Sequence, residues 1–202
     1  MKPLTFLGED LGDLREAPLF YWHGDILSDG YRRLRRFVAS NRDEIYQKKL
    51  LVMGVTSDGG KSLVMDKTVC LVRDLQSKGI VVVTVGFCRA YSAASCLVSA
   101  GSLALVHPEL EYGVHCSYDR EGEVVSPSCR IATNDYYHDL AEHMGLGIDS
   151  PYDDELMDML ASHDITVIDG VDVPHFGLAH DVLDGDHPVF ERLIQWRHTS
   201  TR

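Results

Sequence analysis

Ser92 and His115 are the two side chains whose types and surroundings point most directly to chemistry. A serine hydroxyl attacks a carbonyl usefully only when a neutral imidazole takes its proton. The stretch that would deliver the pair runs from Gly79 to His115. The run IVVVTV at 80–85 predicts a buried strand, the small-residue run AASCLVSAG at 93–101 predicts a closely packed helix stopped by glycine, and a further strand ends at His115. Ser92 then stands at a helix N-terminus. Its hydroxyl can cap that helix, or it can use the free N–H groups and the positive end of the dipole as an attacking group.

The rest of the chain supplies elements to position this stretch. A strand opens at Phe20, Tyr21 and Trp22 and ends near Gly24, and Ser28 can cap a helix reaching Asn41. A second buried strand, 50–55, leads through a turn at 57–60 into an amphipathic helix over 62–78. Such alternation predicts α/β architecture with crossover connections. Beyond His115 the polar residues 117–128 form a loop or hairpin, 135–144 a helix ended by Gly145 and Gly147, and 153–161 a second amphipathic helix. A short strand or extended segment at 165–168 and a last helix at 189–197 complete the chain. The apolar stripe of that helix, Phe190, Leu193, Ile194 and Trp196, covers either its own core or a neighbouring subunit, with core packing the simpler reading.

Composition excludes several function classes. A chain of 202 residues with 45% hydrophobic content buries one substantial core, so residues 1–202 are expected to form a single domain, with 1–17 a loosely ordered N-terminal segment. The net charge of -12 argues against a nucleic-acid surface. Arg32, Arg33, Arg35 and Arg36 read as a solvated helix face rather than a docking patch. No apolar run reaches membrane-spanning length and no basic-then-hydrophobic leader opens the chain, so cytoplasmic localisation is expected. Five cysteines without a CxxC pair argue against a disulfide framework or zinc site. Cys88 and Cys116 are near the proposed site, where small buried residues are a commoner role than a thiol nucleophile. His138 and His143 are spaced so that a helix turns them apart, which argues against metal binding.

One alternative comes from GVTSDGGKS at 54–62, a strand-to-helix turn similar to a phosphate-binding loop. In that reading Lys61 neutralises phosphate after Gly60 and Ser62 holds magnesium, as in a P-loop NTPase. The loop is one residue too long for the pattern, and the reading leaves Ser92 and His115 unexplained.

Four landmarks together resemble a known family: YWHGDI at 21–26, SDGG at 57–60, YSAASCLVSAG at 91–101 and HPELEYGVH at 107–115. The chain over about 20–183 resembles the Clp-protease-like serine peptidases of the ClpP/crotonase superfamily. The resemblance implies a ClpP/crotonase-like fold of repeated strand-strand-helix units, with 117–162 forming a loop plus handle-like helical region. It implies a serine endopeptidase in which Ser92 is the nucleophile, His115 the base, and the amides of Gly60 and Ala93 the oxyanion hole. The family's acid precedes a glycine-leucine segment, here Gly177 and Leu178, and Asp164 stands at the matching distance, with Asp169 and Asp172 as substitutes. No cofactor is needed for this chemistry. Peptide or unfolded-protein substrates, a homo-oligomer and an AAA+ unfoldase partner are further implications. Activity is then expected to rise as the imidazole loses its proton, near about pH 6.5 for an ordinary histidine.

The chain also departs from the family. Asp58 replaces the usual proline, Arg89 and Tyr91 precede the serine where smaller residues are usual, and Cys116, Ser117 and Tyr118 follow the histidine in place of Gln-Pro. A noncatalytic or acyl-CoA-handling member of the same superfamily is therefore the second reading. A serine–lysine dyad is excluded because no lysine follows Lys78.

Overall fold

Strands buried on both faces read as unbroken apolar runs, and the computed structural model shows why they do so here. It describes residues 14–115 and 164–199, the short stretches 5–6 and 9–10, and single helical positions among 136–142 and 155–159. The expected loop at 117–128, Cys116, Cys129, His138, His143 and most of the two helices around 135–144 and 153–161 lie outside the described residues.

The N-terminal strands β1 (Thr5–Phe6) and β2 (Glu9–Asp10) pair antiparallel. The main sheet follows, with β3 (Leu19–His23), β4 (Leu50–Ser57), β5 (Val81–Tyr91), β6 (Leu103–Val106) and β9 (Asp181–Val182) adjacent in that order and all parallel. Between them run α1 (Ser28–Ser40), α2 (Arg42–Lys48), α3 (Ser62–Ser77) and α4 (Ala93–Val98). The last helix, α5, spans Pro188–Thr199. This is the α/β architecture the alternation predicts.

Side chains alternate across the sheet with the strand period of two. Phe20, Trp22, Leu51, Met53, Val55 and Val82 enter one core, beneath helices that contribute Leu34, Val69, Val72 and Leu97. Tyr21, Leu50, Val52, Val83 and Val85 enter the other, against Val189, Phe190 and Leu193 of the last helix. The stripe of α5 therefore packs on its own chain, with the Trp196 ring 6.0 Å from Phe20 and 5.7 Å from Tyr21, while Ile194 stays exposed.

Three local expectations change. Ser28 does not cap α1: Leu27 takes the N-cap position and makes no side-chain cap hydrogen bond. A second helix, α2, follows Asn41 and ends at Lys49 in the left-handed conformation. Helix α4 ends at Val98 rather than at Gly101. Gly101 is instead pressed against β5, where an added β-carbon would meet Thr84 Oγ1 at 2.4 Å.

The largest difference is the length of β5. Its pairing with β6 covers Val83 to Gly86, and then the strand continues to Tyr91 and pairs with a different partner, β7 (Glu111–Val114). A bulge allows the change: Val55 pairs with Gly86, but Ser57 pairs with Ala90. Within the bulge Cys88 has φ 63, a value that side chains rarely adopt. β7 also pairs antiparallel with β8 (Thr166–Asp169), so a branch of β7 and β8 grows from the end of β5 within the same sheet.

Candidate active site

Ser92 follows β5 directly and occupies the N-cap position of α4. Its backbone has φ 57 and ψ -122, a conformation suited to glycine, and its side chain makes no cap hydrogen bond. The capping alternative is thereby removed. A non-glycine residue held this way costs on the order of 1–3 kcal/mol, and such residues cluster at functional sites. A strained serine on a sharp strand-to-helix turn is also the geometry that lifts a nucleophilic hydroxyl clear of its own backbone.

Several contacts overdetermine that turn. The Ser92 N–H donates to Gly113 O at 2.9 Å, and its carbonyl accepts from Ser95 N at 3.0 Å and Ser95 Oγ at 2.6 Å. Ser95 Oγ also lies 2.9 Å from the Tyr137 hydroxyl. The Tyr112 hydroxyl donates to Ser95 O at 3.0 Å and lies 2.7 Å from Ser99 Oγ. Burial pushes Tyr112, Tyr137 and the Cys96 thiol up, the last to about 11, so the thiol beside this network stays protonated near neutral pH.

The turn from β4 approaches Ser92 from the other side. Gly59 has φ 103, and a β-carbon there would meet Ser92 Cβ at 2.9 Å and Ser92 Oγ at 3.5 Å. Gly59 N donates to Ser57 Oγ at 3.0 Å. Ile26 N donates to Gly59 O at 2.7 Å, and Lys61 N donates to Ile26 O at 3.0 Å. Gly60 lies between these two bonds, and its own N–H is outside the bridge they form with Ile26. The Ala93 N–H likewise belongs to the first turn of α4, where amides have no partner within the helix. A phosphate cradle fits this loop poorly, because the Gly59 and Lys61 amides it would need are already engaged.

His115 follows β7 and is buried. The Ser92–Gly113 backbone bond brings its segment beside the serine. Gly113 makes that approach sterically feasible, since a β-carbon there would lie 2.5 Å from the Tyr91 ring. No hydrogen bond joins the Ser92 hydroxyl to His115 among those of the described residues; catalytic bonds often tighten only with substrate bound.

The three candidate acids occupy different places. In the β7–β8 register Val114 faces Thr166, so Asp164, just before β8, lies at the end of the hairpin where His115 emerges. Asp169 pairs with Glu111 at the opposite end. Asp172 lies 3.5 Å from His175 Nδ1 at the surface. Only Asp164 is placed by strand register at the histidine end.

Two polar contacts join the turn, β5 and β7 beside Ser92. Arg89 Nε is 2.6 Å from Asp58 Oδ1, and Tyr91 donates its hydroxyl to Glu111, the residue paired with Arg89 in the ladder. The hydrogen bond to Glu111, followed by burial, pushes the Tyr91 phenol up to about 12. Adjacent glycines in SDGG were the available signal that the turn must approach another backbone; nothing in the sequence paired Asp58 with Arg89.

No family model matches the chain. No curated protein matches it in sequence. Among solved structures it is similar to the ClpP protease catalytic domain from Plasmodium falciparum, with a TM-score of 0.61, 12% identity, and coverage of 82% of this chain and 84% of that one. The chain has a ClpP-like fold. At that identity the likeness concerns architecture, and the chemistry rests on the residues themselves. No helix among the described residues is long and apolar enough to cross a membrane.

Proposed function

We propose that this chain is a serine peptidase with Ser92, His115 and Asp164 as its triad. The observation that carries the reading is Ser92 itself: a strained, uncapped serine at a strand-to-helix turn, with a glycine turn against its hydroxyl. The ClpP-like fold supports it. His115 accepts the Ser92 proton as Oγ forms a bond to the peptide carbonyl carbon. The oxyanion accepts hydrogen bonds from the Gly60 and Ala93 amides, and Asp164 orients the imidazole. Collapse passes the proton to the leaving amine, and water then hydrolyses the acyl-enzyme by the same steps in reverse order of roles.

Peptide or unfolded-protein substrates, a homo-oligomeric state and an unfoldase partner are part of the same proposal. The test is intact-mass analysis after an alkyl fluorophosphonate, which labels only an activated serine. One adduct on the native chain, absent from Ser92→Ala and from the unfolded chain, is expected. A native chain without an adduct, under conditions that label a control hydrolase, would favour a noncatalytic or acyl-CoA-handling role.

A further inference from the structure

We propose that the Asp58–Arg89 ion pair is a positioning clasp that holds the Gly59–Gly60 turn against Ser92. This deepens the peptidase reading and rests on it for its catalytic meaning.

The turn is tied most continuously along the flank that faces Ile26. Ile26 bonds it on both sides of Gly60, and Gly24 N donates to Thr56 O at 3.1 Å. On the opposite flank the ladder between β4 and β5 is interrupted after Val55 by the bulge and resumes with one pair, Ser57 and Ala90. Beyond the ladder, Asp58 and Arg89 join the two segments with a 2.6 Å charge-assisted contact. Arg89 lies on the strand that leads directly into Ser92, while Asp58 immediately precedes Gly59. The pair therefore sets the spacing between the strand that ends at the serine and the turn that would bind the oxyanion.

The bulge is what makes this link available. Two extra residues on β5 and the left-handed Cys88 turn the strand locally and bring Arg89 opposite the turn. Thr56 donates to Phe87 O at the base of the same bulge, anchoring its near end. Arg89 is also laddered to Glu111, whose carboxylate is occupied by the Tyr91 hydroxyl. Of the two carboxylates, Glu111 and Asp58, it is Asp58 that Arg89 pairs with. Asp58 and Arg89 touch no reacting atom in this proposal; they act through the turn.

The experiment uses Asp58→Asn, Arg89→Gln and the reversed pair Asp58→Arg with Arg89→Asp in the full chain. Two quantities are read: the labelling rate with an uncharged alkyl fluorophosphonate, and amide hydrogen exchange across residues 57–63. Each single variant is expected to label about two- to fivefold more slowly, the range open to a half-exposed ion pair, and to exchange faster across the turn. On a peptide substrate the loss falls on kcat with KM unchanged, because the donor acts in the transition state. The reversed pair regains both rates, and raising salt from about 0.05 to about 1 M slows the native chain toward the singles. Wild-type exchange in both singles would overturn the clasp whatever the labelling does. A native chain that resists the probe while the exchange pattern holds would defeat the nucleophile assignment and leave the clasp standing.

Discussion

Gly59 lies so close to Ser92 that a β-carbon on the glycine would fall 2.9 Å from Ser92 Cβ. The turn and the serine are thus fitted to one another through a position that has room only for hydrogen. Gly59 also has φ 103, so any side chain there is strained as well as crowded.

Gly59→Ala is therefore expected to displace the turn, with a stability loss of about 1–3 kcal/mol. Displacement of one oxyanion donor costs about a hundred- to a thousandfold in rate. Thermal unfolding and fluorophosphonate labelling measure the two effects separately. Labelling at the native rate would mean that the turn takes no part in activating Ser92.

The backbone of Ser92 predicts an inverse relation between stability and activity. Ser92→Gly relieves the φ 57 conformation, whereas Ser92→Ala retains it. The glycine variant should be more stable than the alanine variant by about 1–2 kcal/mol, within the cost of holding a residue with a β-carbon in so sparsely populated a conformation. In a domain of this size that is about 2–8 °C in midpoint. Both variants lose the adduct. Equal melting temperatures would show that the turn carries no strain.

Tyr91 gives a prediction in alkali. Its hydroxyl bonds Glu111 and its folded value is raised to about 12 from the ordinary 10, so the folded state holds the phenolic proton more tightly. The resulting stabilisation is fully present below pH 10 and is lost as pH rises through about 12. Tyr91→Phe should flatten that part of the stability profile, as read by denaturant unfolding across the window. An unchanged slope would place the effect on other tyrosines.

The layered fold was legible because its strands are covered on both faces: residues 50–55 and 80–85 are apolar but for Gly54 and Thr84, and the helix over 62–77 repeats at its own period. The extension of β5 was not, because Phe87, Cys88 and Arg89 form a bulge with mixed polarity and the strand then changes partner to β7. Ser92 and His115 were legible as residue types in order, while the serine's φ was not, since serine is no signal for a left-handed backbone. The choice among Asp164, Asp169 and Asp172 depends on a strand register joining segments far apart in sequence, and local pattern carries no information about it. The Asp58–Arg89 pair was hidden for the same reason.

The dual pairing of β5 has a consequence for the newly made chain. Ser92 receives its backbone from contacts with segments distant in sequence: the ladder to β7, the bond from its amide to Gly113, and the Tyr112 and Tyr137 hydroxyls around α4. Parallel pairings of this kind are long-range and slow to form, and a strained residue persists only while its surroundings enforce it. A chain still emerging or half-collapsed holds an ordinary, relaxed serine. If Ser92 is the nucleophile proposed above, its reactivity is withheld until folding is complete, and a probe that reads the strained serine is also a timer for the last step of maturation.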